Sequence, residues 1–142
     1  NYLFLIFLLL LKVLKFHPFL IKPNNHELGE MFGVELKTDE EIEAYAGKLQ
    51  QMGARNVLVS MAGDGAMLIT EKGDRYRVGV PKGVVKNSVG AGDSMVAGFI
   101  AGYMETGDYR VALNMGTAAG SATAFSDDLA TGELIRSIYE TL

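Results

Sequence analysis

Gly90, Ala91, Gly92 and Asp93 stand in a row inside the stretch NSVGAGDSMVAG, which begins at Asn87 and leads into an apolar, small-residue segment. A glycine-rich turn at the mouth of a helix leaves backbone N–H groups free to point into the space ahead of it. Neither glycine has a side chain to block a close approach, and the helix dipole adds partial positive charge. Such a turn is an anion site, with phosphate as its usual occupant. Asp93 falls in the first turn of that helix. There it either caps the helix and compensates its dipole, worth about 0.5–2 kcal/mol, or acts as a general base for a hydroxyl attacking the bound phosphate. Spacing alone supports both roles equally.

Two better-known phosphate motifs are testable against this sequence. The string G-x-x-x-x-G-K-[ST] does not occur. The dinucleotide fingerprint G-x-G-x-x-G finds its first two glycines in Gly90 and Gly92, but Met95 occupies the third place. A dinucleotide-binding module, the rival reading, predicts NAD affinity and no Mg²⁺ dependence. There is no cysteine, which excludes disulfides, a thiolate nucleophile and zinc-finger spacings. Two histidines, His17 and His26, are too few for a multi-histidine metal centre. The absence of cysteine also fits a cytoplasmic setting. A net charge of −4 gives no broad attraction to nucleic acid or to an anionic membrane, so any anion must be held locally.

The elements that must position these residues are legible in order. FLIKP, Phe19–Pro23, reads as a short strand stopped by proline. Asn24 with Glu27 marks the start of a short helix that Gly33 ends. Thr38 with Glu41 forms a capping box for the helix closed by Gly53. RNVLVSM is a β-branched strand. AGDG turns the chain, AMLIT returns it, EKGD turns it again, and RYRVGV is the last strand. The apolar helix after Gly92, a second small-residue helix with Asp108 near its start, and an amphipathic helix capped by Thr131 follow. Strands mixed with crossover helices predict an α/β layer, with an antiparallel pair among the three middle strands. The length, 142 residues, predicts a single domain.

These motifs, taken together, carry a resemblance. NSVGAGDSMVAG resembles the C-terminal signature of the ribokinase-like (PfkB) sugar kinases through Asn87, Ser88, Gly90, Ala91, Gly92 and Asp93. KPNNHELGEMFG is similar to that family's N-x-x-E segment through Asn24 and Glu27. VLVSMAGDGAML resembles its nucleotide-side strand and glycine turn, and ALNMGTAAGSATAFS its helix beside the adenine. The wording is closest to the 1-phosphofructokinase and tagatose-6-phosphate kinase branch, over roughly Phe16 to Leu142.

The resemblance implies the C-terminal portion of a three-layer α/β/α fold, with residues 1–142 as one nucleotide-binding domain. It implies ATP and Mg²⁺ as cofactors and a ketohexose phosphate as acceptor, with fructose 1-phosphate expected and tagatose 6-phosphate as the variant. Asp93 would be the catalytic base, and Gly90, Ala91 and Gly92 the anion hole for the transferred phosphoryl group. Asn24 and Glu27 would help hold Mg²⁺ through water. Ser60, Gly63, Gly65 and Ser88 would line the nucleotide site, and Asn114 and Ser121 would neighbour the adenine. Lys22 and Lys86 are within reach of phosphate or are surface lysines. A homo-oligomer is compatible with the family; no nucleic-acid or membrane partner is implied.

One segment, the atypical apolar stretch of residues 1–15, departs from the pattern. Tyr2–Leu11 is an unbroken apolar run where the family has a strand and a polar turn. It is too short for a membrane-spanning helix, which needs about 20 apolar residues. It reads as a buried strand or helix, or as a stretch covered by residues of a longer protein. Family members are about twice this length, and their sugar-reading residues lie in the half that the resemblance does not reach. A non-catalytic fragment that self-associates through this run is the competing expectation.

Overall fold

The structure, a computed structural model, describes residues 2–142, with side chains from residue 5 onward. The elements are α1 (Tyr2–Leu14), β1 (Leu20–Ile21), α2 (Asn25–Met31), α3 (Asp39–Gln51), β2 (Asn56–Ser60), a 3-10 turn (Ala62–Asp64), β3 (Ala66–Ile69), β4 (Arg75–Val78), α4 (Ala91–Thr106), α5 (Tyr109–Ala124) and α6 (Gly132–Tyr139). The sheet order is β1-β2-β3-β4. The connections after β2 and β3 are five residues each (61–65 and 70–74), too short for a crossover, so these neighbours run antiparallel. No helix among the described residues is long and apolar enough to cross a membrane. The chain divides into two compact units: residues up to Ala62 together with Met67–Arg75, and Gly63–Ala66 together with Tyr76–Leu142.

In the first unit β1 and β2 pair in parallel, with Leu20 opposite Asn56 and Ile21 opposite Val57. The register is pinned by Asn56, whose buried amide donates to the Phe19 carbonyl at 2.9 Å and accepts the Glu71 N–H at 2.9 Å. Leu28, Ile42, Ala46, Leu49, Val57, Val59, Met67 and Ile69 form the core against which α2 and α3 lie. Thr38 and Glu41 close the expected capping box on α3. Two backbone amides, of Lys37 and Thr38, donate to the Glu41 carboxylate and hold its pKa below the ordinary glutamate value.

The apolar run is a helix, but not a buried one. Leu14 is buried and Leu10 and Leu11 pack on the core, a stripe that recurs once per turn. Leu5, Ile6, Leu9 and Val13 lie outside that stripe and are 48–55% exposed. A helix that is apolar all round and packed on one side leaves its other faces in solvent. The side chains of residues 2–4, and all of Asn1, lie outside the described residues.

In the second unit α4 and α5 interlock through glycine. A Cβ at Gly98 would meet the Met115 carbonyl at 2.7 Å and Ala119 Cβ at 2.8 Å. One at Gly116 would meet the Met95 carbonyl at 2.8 Å, and one at Gly120 the Ala91 carbonyl at 3.0 Å. These positions therefore seat backbone against backbone. Phe99 is fully buried in this unit. Asp108 caps α5 by accepting from Arg110 N–H at 2.7 Å and Val111 N–H at 3.2 Å, and Thr131 caps α6. Ala118, Ala122 and Ile138 join α5 to α6.

Candidate active site

Asn24, Glu27 and Ser60 belong to the first unit, and the parallel pairing explains why they meet. Asn24 bridges to Ser60 just beyond the paired strands, and the Ser60 N–H donates to the Pro23 carbonyl at 3.1 Å. All three residues thus sit at the carboxyl end of β1 and β2, the end where open α/β sheets bind ligands. Asn24 and Glu27 form a reciprocal capping box on α2. The Glu27 N–H donates to Asn24 Oδ1 at 2.7 Å, and the Asn24 N–H donates to Glu27 Oε2 at 2.8 Å. A carboxylate has about four lone-pair sites, so this cap leaves acceptor capacity on Glu27. The oxygen donors suit a hard cation bound through water. Among the described residues no group of three or more His, Asp or Glu could hold a metal ion directly.

The remaining candidates belong to the second unit. Ser88, Gly90, Ala91, Gly92 and Asp93 form one continuous turn. Gly90 is the N-cap of α4 at φ +81°, a left-handed conformation that glycine adopts without strain. No side chain caps this helix. The residue type explains both facts, since glycine supplies the conformation and lacks the oxygen that Ser, Thr, Asn or Asp would have offered to the first amides. The turn is held from behind. Lys86 N–H and Asn87 N–H both donate to the Ala124 carbonyl, at 2.8 and 3.1 Å, and Thr123 Oγ1 donates to Ser94 Oγ at 2.7 Å. Asn87 Oδ1 accepts the Val89 N–H at 3.0 Å. Asp93 is the third helical residue, exposed, and is not the capping residue. Lys86 pairs with Asp127 at 3.7 Å on the surface.

Gly63 and Gly65 flank Asp64 in the turn before β3. Gly65 has φ +88°, and a Cβ there would collide with the Val78 carbonyl. On α5, Asn114 and Ser121 lie two turns apart. Asn114 lines a cavity of about 930 Å³ between the segment Arg77–Lys82, α5 and α6; Ser121 does not. Asn114 Oδ1 and Thr117 Oγ1 are buried with no hydrogen-bond partner among the described residues. Buried polar atoms are normally paired, so these two retain capacity for a further hydrogen bond. Sequence reasoning missed Thr117, Arg77 and Arg110. Thr117 hides in a run of small residues, and Arg77 in a strand whose alternate basic residues resemble a solvated edge.

A pfkB family carbohydrate kinase model matches residues 7–134. The match begins inside α1, earlier than Phe16. The chain is 51% identical over 129 residues to 1-phosphofructokinase of Bacillus subtilis, covering 91% of this chain and 42% of that protein. It superposes on phosphofructokinase-2 from Escherichia coli in complex with substrates and products with a TM-score of 0.84. There it is 29% identical, covering 94% of this chain and 44% of that one. Ribokinase of Arabidopsis thaliana, complexed with ribose and ATP, shares the fold at a TM-score of 0.77, with 22% identity over 86% of this chain and 41% of that one. The chain thus spans less than half the length of these relatives. The ribokinase-like α/β fold expected from the motifs is the fold found, as one portion of it, and the chain belongs to the pfkB family of carbohydrate kinases.

Proposed function

We propose that this chain is the nucleotide-binding part of an ATP-dependent phosphosugar kinase acting on a ketohexose phosphate, with fructose 1-phosphate as acceptor and fructose 1,6-bisphosphate as product. The observation that carries the proposal is the uncapped, left-handed Gly90 start of α4 with Asp93 in its first turn. The likeness to 1-phosphofructokinase supports the choice of acceptor.

In the proposed reaction the acceptor hydroxyl oxygen forms a bond to the γ-phosphorus. The bond from that phosphorus to the β,γ-bridging oxygen breaks, and ADP leaves. Asp93 takes the hydroxyl proton. The amides at Gly90, Ala91 and Gly92 stabilise charge on the transferred group, which is the main demand of phosphoryl transfer. Ser88 completes that turn. Asn24 and Glu27 would hold water bound to Mg²⁺, which supplies charge neutralisation of the phosphates. Ser60, Gly63 and Gly65 flank the nucleotide, and Asn114 and Ser121 neighbour its base. Such an enzyme draws on cytoplasmic ATP. Turnover requires the part of the fold that this span of the relatives does not include.

Calorimetry of the purified chain with ATP, with and without Mg²⁺ and against NAD, tests this. Metal-dependent ATP binding is expected. Binding of NAD in its place would sink the proposal.

A further inference from the structure

Arg77 reaches from β4 to the glycine turn. Its Nη1 donates to the Asp64 carbonyl and, at 3.1 Å, to the Val78 carbonyl. Val78 O is also the atom on which the bare Cα of Gly65 is seated. One guanidinium nitrogen therefore bridges the Asp64 and Val78 carbonyls, tying the turn to the end of β4 beside that seat. Arg77 is fixed in turn: Arg110 Nη1 donates to the Arg77 carbonyl at 2.9 Å while its guanidinium lies over the Tyr76 ring at 4.9 Å. The first turn of α5 thereby holds the backbone of β4, and β4 holds the Gly63–Gly65 turn. All of these residues lie in the second unit.

We infer that Arg77 is a positioning residue for the Gly63–Gly65 turn, setting the backbone that contacts the nucleoside end of ATP while leaving the phosphate end to the turn at Gly90. The inference rests on the functional reading above. It names a guanidinium rather than any cation, because the planar group is preorganised and loses less side-chain freedom per hydrogen bond than an ammonium on lysine's flexible stem.

The test uses Arg77→Met and Arg77→Lys in the full chain, with two readouts. Amide exchange followed by NMR is expected to rise at least tenfold for residues 63–66 in Arg77→Met and less in Arg77→Lys, with α4 amides unchanged. Affinity for ATP is expected to fall about tenfold in Arg77→Met while affinity for tripolyphosphate holds. Unchanged exchange at 63–66 overturns the inference. So does an equal loss for ATP and tripolyphosphate, which marks a merely stabilising side chain. If the unaltered chain binds no ATP while exchange responds as expected, the functional reading fails and the turn-holding role of Arg77 stands.

Discussion

Asn24 and Glu27 each accept the other's backbone amide, at 2.7 and 2.8 Å, across the first turn of α2. The pair is therefore a helix cap in its own right, whatever cation it serves. Asn24→Ala should cost about 1 kcal/mol of stability, as loss of a cap does, measured by urea unfolding. Glu27→Gln keeps an acceptor for the Asn24 amide but loses the charge. Its unfolding midpoint should change little, while the Mg²⁺ concentration needed for ATP binding rises. A large fall in stability with unchanged Mg²⁺ dependence would leave Glu27 as a cap alone.

Asp93 lies in the first turn of α4 without capping it. In an intact kinase carrying this segment, Asp93→Asn should lower kcat by about 10²–10⁴-fold, the range for a general base. ATP affinity should stay nearly intact. Retention of most of the turnover would remove Asp93 from the role of base.

Gly90→Ala forces an L side chain into φ +81°. The expected cost is about 1–2 kcal/mol. Gly98→Ala keeps an ordinary backbone conformation but drives a methyl group to 2.7 Å from the Met115 carbonyl. Overpacking of that kind costs about 1–3 kcal/mol. Thermal unfolding of the two variants separates them from a third, Gly47→Ala, which meets nothing within 4 Å and should be neutral or slightly stabilising.

Glu41 is lowered by hydrogen bonds from the Lys37 and Thr38 amides. Its folded pKa lies below its unfolded one, so near those two values the unfolded chain binds more protons and stability rises with pH. The contribution is complete above the ordinary glutamate value, about 4.3, and is lost as pH falls through the folded value. Glu41→Gln should flatten the acid limb of stability against pH by lowering the neutral plateau, where the charged carboxylate makes its full contribution, while leaving stability at the acid end nearly unchanged. An unchanged acid limb would show that these amides do not favour the charged form.

Local chemistry was legible in the sequence wherever one residue decides the outcome. Thr38 with Glu41 reads as a capping box and is one, and Asn24, which reads as the cap of a short helix with Glu27 three residues on, closes a capping box too. Thr131 reads as the cap of the closing helix and is one. The long-range contacts were not legible. Nothing in the order of residues says that Asn24 bridges Ser60, since that depends on parallel pairing across two helices. Nothing local shows that Arg77 turns back to the Asp64 carbonyl. The exposed side of α1 was misread because an apolar run states what can be buried, not how many of its faces find a partner.

The seam between α4 and α5 has a consequence for how the segment tolerates change. Gly98, Gly116 and Gly120 let main chain touch main chain, so the turn at Gly90 is mounted on a close-packed contact with little room to deform. A side chain gained on one helix meets a main-chain carbonyl that cannot rotate aside and a Cβ fixed to its own backbone. Replacement along this seam must be concerted: a methyl group added at Gly98 needs a methyl group removed at Ala119, the neighbour it would strike at 2.8 Å, and some retreat of the Met115 carbonyl as well. Ala119→Gly should therefore partly rescue Gly98→Ala, although it is harmful alone.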